Sequence, residues 1–294
     1  MRVAMHNWMR AEPIEKTIAR LGKSGYDCIE ISGEPERYDP KHIRGLLKEH
    51  GLTCWGSVTL MLGERNLLAA NPKTRAESVK YVKDTITMVK EMDGEEITIV
   101  PGTVGKLTPE ASAQEEWGWV VDSLKQCYEH GLKEGVRLAL EPLNRFETYF
   151  LNRHDQALVL AEAVGPQCGI CLDAFHMNIE EKDMFAAIRA VGPRLNDFHV
   201  ADNNRMACGM GALPWKRIID TLKEIGYTGA LTVEFVAPID RTPANPYKNA
   251  LEQGHVSLTP EEIKFMVDHG TGNLSDEFYT WLVDETIKTL RANM

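Results

Sequence analysis

Apolar positions recur along this chain with two alternating periods. Short strand-like runs, such as Arg2 to His6, Tyr26 to Ile31 and Leu52 to Val58, alternate with longer stretches of helical period, such as Pro13 to Ser24, His42 to His50 and Lys73 to Met92. The alternation continues through strands at Glu96 to Val100, Val136 to Leu140, Gly169 to Leu172, Leu195 to Val200 and Ala230 to Phe235. Between them lie helical patterns at Pro109 to Glu134, Asp155 to Val164, Met184 to Val191 and Trp215 to Ile225, with a last one at Asp276 to Arg291. Gly25, Gly51, Gly135, Gly165 and Gly226 stand where helix ends are expected. The pattern predicts eight strands and eight helices in strict alternation.

Strict alternation calls for a parallel sheet with helical crossovers. Eight such units in 294 residues predict an α/β fold of the closed (β/α)8 TIM-barrel kind, which commonly runs to ~250 residues as one domain. A doubly wound open sheet would favour a glycine-rich turn after the first strand, and Met5-His-Asn-Trp8 has none. Residues 1–294 are therefore expected to form a single domain. One connection, at about 237–274, is long and carries Pro238, Pro243, Pro246 and Pro260, so a structured excursion or lid is expected there.

Composition narrows the partners. With 43% apolar and 26% charged residues the chain is ordinary for a globular protein. A net charge of -10 argues against a nucleic-acid backbone as partner, since phosphate binding needs a basic face. No stretch approaches the ~20 apolar residues of a membrane span. Met1 to Met5 is too short for a signal-peptide core and reads as the first strand. Six scattered cysteines read as reduced core residues of a cytoplasmic protein. Cys168-Gly-Ile-Cys171 has redox or zinc spacing, but it lies within a strand pattern with no second pair, which favours core packing.

In a barrel of this kind the active site lies at the carboxyl ends of the strands. Strands five to eight end in Glu141, Asp173, His199 and Glu234, each about one βα unit from the next. Three carboxylates in one mouth repel one another, and a divalent cation removes that cost. An oxygen-rich set with one nitrogen suits Mn²⁺, Mg²⁺ or Co²⁺ better than thiol-preferring zinc. Taken singly, each acid reads more readily as a helix cap or as a partner for Arg or Lys; four in successive units favour the metal.

Four segments carry a resemblance to a known family: Leu143 to Glu147, Leu172 to Glu181, His199 to Arg205 and Gly211 to Trp215. They closely resemble the ketose 3-epimerases acting on tagatose and allulose (psicose), which belong to the xylose-isomerase-like barrels. The resemblance implies that Glu141, Asp173, His199 and Glu234 hold the metal, and the donor set makes Mn²⁺ the expected ion, with Co²⁺ or Mg²⁺ as alternatives. It implies further that Glu141 and Glu234 are the acid/base pair, and that Glu147, His176 and Arg205 hold sugar oxygens. The partner is then a small-molecule sugar or sugar conjugate. Family barrels often pair as homo-oligomers.

The chain departs from the epimerase pattern at four places, all expected at the mouth. Ala201-Asp202 replaces a glycine-glutamate pair, and Val100 to Lys106 after strand four is basic. The first strand ends in His6-Asn-Trp8, and the excursion is long. A relative with the same core, the α subunit of C-glycoside deglycosylases, works with a small β subunit and eliminates the aglycone of 3-oxo-C-glucosides. It is the alternative to epimerisation. A non-catalytic sugar-binding barrel is a third reading. Endonuclease-IV-like relatives need more His ligands and a basic surface, which the net charge of -10 opposes.

Overall fold

The computed structural model describes residues 1–247, 249–250, 258–272 and 274–294. Eight parallel strands close into a barrel in sequence order, with β1 (Arg2–His6) pairing β8 (Ala230–Val233). The strands between are β2 (Cys28–Ser32), β3 (Thr53–Val58), β4 (Glu96–Ile99), β5 (Arg137–Leu140), β6 (Gly169–Asp173) and β7 (Leu195–Val200). The expected helices surround them: α1 (Ile14–Ser24), α2 (Pro40–Glu49), α3 (Pro72–Glu91), α4 (Ala113–Glu134) and α5 (His154–Val164) come first. After β6 come α6 (Ala174–Glu180) and α7 (Met184–Val191), then α8 (Trp215–Glu224), α9 (Pro260–His269) and α10 (Asp276–Asn293).

Helix boundaries follow local chemistry. Asp39 and Asn71 accept hydrogen bonds from the first-turn amides of α2 and α3, and a proline opens each helix. The start of α4 lies four residues later than periodicity predicts, because Ser112 and Glu115 form a capping box. Gly25 and Gly135 end α1 and α4 at φ 86° and 73°, a region where a side chain is strained.

Two helices were not expected. The short α6 exists because Asp173 serves as its N-cap, with Oδ1 accepting from the Phe175 amide at 2.6 Å. The other, α9, lies within the excursion and starts on a Thr259–Glu262 capping box. The described part of the excursion is therefore structured; residues 248, 251–257 and 273 lie outside the described residues.

The core fills the layer between sheet and helices, with residues such as Ile29, Leu138, Leu160, Ile218 and Leu282 almost wholly buried. Each large aliphatic side chain buried in this way contributes roughly 1.5–3 kcal/mol. The six cysteines are free and buried, so Cys168 and Cys171 pack in the core as expected. No helix among the described residues is long and apolar enough to cross a membrane.

Candidate active site

Four adjacent strands deliver the candidate metal-binding side chains to one place. Asp173 closes β6 and pairs in register with His199 of β7. Glu141 lies one residue past β5 and Glu234 one past β8. Their amides donate to Ile99 and Val200 carbonyls at 3.0 Å each, so both keep the direction of their strands. Each of the four offers one ligand atom, and these atoms lie within 4.8 Å of one another. His199 Nδ1 is 3.3 Å from Glu141 Oε1 and 3.2 Å from Glu234 Oε2.

Electrostatics oppose this crowding unless a cation joins it. Burial, reinforced by Glu234 and Glu141, pushes the Asp173 carboxyl up to about 8. Burial likewise raises Glu141. Glu234 goes the other way: burial opposes its charge, but His199, His6 and Arg205 outweigh burial and hold it below the usual carboxylate range. Among the described residues, Glu141 Oε1, Asp173 Oδ2 and His199 Nδ1 are buried without a hydrogen-bond partner, all within the group. Orphaned buried acceptors are costly, and a divalent cation is the partner that three carboxylates and an imidazole lack. The donor set fits such an ion. Asp173 also serves both readings made from the sequence: Oδ1 caps α6 while Oδ2 faces the group.

Above these residues opens a cavity of about 380 Å³. Glu141, Glu147, His176, Arg205 and Glu234 form its polar side; Trp8, Leu60, Met61, Val104 and Val236 are among its apolar walls. The structure thus brings all three expected sugar contacts to one cavity. His176 Nδ1 accepts from the Asn144 amide at 3.2 Å, which places the ring proton on Nε2. Burial, then the nearby Arg205, holds this imidazole well below its usual range and hence neutral. Arg205 stacks 4.8 Å over Phe175 and sits at φ 59°, a left-handed backbone unusual for arginine.

One of the four departures is not where the sequence places it, and a second reaches the cavity without its basic residue. Asp202 is fully buried and does not line the cavity. Its two oxygens accept from the amides of Asn203, Gly209 and Leu213 and from Trp215 Nε1, at 2.9–3.0 Å. It organises the loop after β7. Lys106 turns to Glu110, so only Val100, Val104 and Gly105 of that segment face the cavity. His6 and Trp8 do reach the site: His6 stacks edge-on to His199 at 4.9 Å, and Trp8 lines the cavity. The excursion reaches it too, through His269 at the end of α9.

Sequence reasoning missed a layer beneath the candidate metal site. Glu30, Glu96 and Asp197 are fully buried inside the barrel. A signal existed: Asp197 is two residues from His199, and Glu30 alternates with Cys28, so the strand period of two turns them to the same inner face.

Comparison with known proteins places this chain in a class. A family model described as xylose isomerase-like TIM barrel matches residues 18–255. The chain belongs to that family. It is similar to D-psicose 3-epimerase of Enterocloster bolteae, 32% identical over 232 residues that cover 75% of this chain and 76% of that one. L-ribulose 3-epimerase of Mesorhizobium japonicum is 28% identical over 240 residues, covering 79% and 80%. A D-allulose 3-epimerase from Methylomonas sp. shares the fold, with a TM-score of 0.84 at 20% identity, over 100% of this chain and 98% of that one.

Proposed function

We propose that this protein is a ketose 3-epimerase dependent on a divalent metal ion. The observation that carries the proposal is the convergence of Glu141, Asp173, His199 and Glu234 beneath a cavity whose polar side is Glu147, His176 and Arg205. The relatives support it, being epimerases of ketoses. The alternative of a C-glycoside deglycosylase subunit draws no support from them. Complete retention of four cation-binding groups does not favour a non-catalytic barrel.

Glu141, Asp173, His199 and Glu234 hold the ion, with Mn²⁺ the best fit to an oxygen-rich set and Co²⁺ or Mg²⁺ able to replace it. The ion supplies electrostatic stabilisation as negative charge develops on the sugar's carbonyl and adjacent hydroxyl oxygens. Arg205, Glu147 and His176 orient the sugar by its other oxygens. One of Glu141 and Glu234 takes the proton from C3. The C–H electron pair moves toward the carbonyl, giving an enediolate, and the second carboxyl returns a proton on the opposite face. The entering epimer decides which acts first. The apolar walls exclude water and keep the intermediate from side reactions. A single domain spanning the chain and a cytoplasmic setting complete the reading, the latter supported by six free, buried cysteines.

The test is to incubate the metal-loaded protein with D-psicose, D-tagatose and L-ribulose in deuterated water. The expected result is the C3 epimer of at least one ketose with deuterium at C3. Absence of exchange with all three sugars under Mn²⁺, Co²⁺ and Mg²⁺ rejects the assignment.

A further inference from the structure

His199 has two faces. Nδ1 faces Glu141 and Glu234, at 3.3 and 3.2 Å. Nε2 faces the barrel interior, where Glu30 Oε2 and Asp197 Oδ2 each lie 3.2 Å away. Neither takes an aligned hydrogen bond from Nε2; the two carboxylates flank it. All three side chains are fully buried.

Two buried carboxyls here need a reason. Asp197 receives the Thr232 hydroxyl on both oxygens at 3.0 Å. Among the described residues Glu30 has no aligned donor; His6 Nε2 stands 3.2 Å from Oε2, the same oxygen that His199 Nε2 approaches. The remaining polar hydrogen both acceptors share is that of His199 Nε2. A neutral imidazole carries one ring proton, and the nitrogen without it has the lone pair. Two acceptors below Nε2 stabilise the proton there. A three-centre arrangement, one N–H between two oxygens, accommodates the off-axis geometry.

We infer that Asp197 and Glu30 are positioning residues for His199, fixing its proton on Nε2 so that the Nδ1 lone pair faces Glu141, Asp173 and Glu234. This rests on the metal-centre reading above. Histidines that bind metals generally donate their second nitrogen to such an acceptor, and removing that acceptor weakens metal affinity about 10–100-fold. Asp197 is anchored in turn by Thr232, which pairs in register with His199. The chain of control runs from Thr232 to Asp197 to His199.

The test joins nitrogen-15 NMR of the histidines with calorimetric Mn²⁺ titration. In the Mg²⁺-loaded wild type, His199 should show a protonated Nε2 and a bare Nδ1. The E30Q/D197N double variant should lose that preference and bind Mn²⁺ about 10–100-fold more weakly, with one ion per chain throughout. T232V, which keeps the side-chain shape, should show a smaller loss in the same direction. A wild-type spectrum with the proton on Nδ1 overturns the inference even if no variant folds. So does a folded double variant that binds Mn²⁺ within twofold of wild type. Two ions per wild-type chain, one of them lost in the double variant, would make the inner layer a cation site instead. His199→Ala separates this inference from the reading it rests on. If H199A binds Mn²⁺ like wild type, both fall; if H199A loses the ion and the double variant does not, only the positioning role falls.

Discussion

Arg205 Nη1 donates to Glu147 Oε1 at 2.8 Å while its Nη2 stands 3.6 Å from Glu234 Oε1. One guanidinium thus links a sugar-contact candidate with an acid/base candidate. The fork geometry of arginine allows both contacts at once, which the point charge of lysine does not.

Arg205→Lys should therefore keep the charge but misplace both carboxylates. We expect kcat/KM for ketose epimerisation to fall roughly 10–100-fold, on the scale of lost positioning, with unchanged thermal unfolding. Equal kcat/KM in R205K and wild type would remove the linking role. The backbone adds a separate expectation. At φ 59° a glycine is unstrained, so R205G should be more stable than R205A by about 1 kcal/mol in denaturant unfolding.

Glu234→Gln should fold and yet stop proton exchange. The loss expected for removing a general base is ~10²–10⁴-fold. The measurement is deuterium uptake at C3 of a ketose, and wild-type uptake by E234Q would sink the acid/base assignment.

Asp202 makes a stability prediction, not a specificity one. Asp202→Ala leaves three part-buried amides and the buried Trp215 indole N–H without their acceptor. The expected cost is about 1–3 kcal/mol, the figure for the one fully buried donor left unsatisfied, since the part-buried amides can turn to water. A folded D202A with wild-type stability and an altered sugar preference would return Asp202 to the mouth.

The excursion carries a pH dependence. His269 donates from Nδ1 to the Phe265 carbonyl at 2.7 Å and places Nε2 3.3 Å from Glu34 Oε2. Burial opposes the charge on Glu34, but the adjacent His269 ring, the Ser32 hydroxyl and the Arg37 charge overcome it and hold the carboxyl at about 2. A depressed folded value means stability that is present above the ordinary carboxylate range and lost as pH falls from about 4.5 toward about 2. E34Q has no such proton to take up. The stability difference between wild type and E34Q should shrink across that window, read by denaturant unfolding at successive pH values. A constant difference would mean that Glu34 does not report the contact.

The sequence by itself determined the barrel and the four residues at its strand ends. Parallel strands and their crossover helices announce themselves through local periodicity and caps, and in a closed barrel the carboxyl ends of neighbouring strands meet at one mouth. That logic sufficed for Glu141, Asp173, His199 and Glu234. Only the tertiary structure decided what those ends meet. Glu30 and Asp197 lie at ordinary strand positions, and their approach to His199 Nε2 depends on register across strands distant in sequence. Asp202 looked like a mouth residue because it follows the strand by two positions. The loop folds back on it through contacts as far as Trp215, which no local pattern encodes. His269 reaches the cavity from 35 residues beyond Glu234 because α9 packs by aromatic contact with Trp8, a long-range meeting of side chains that periodicity cannot express.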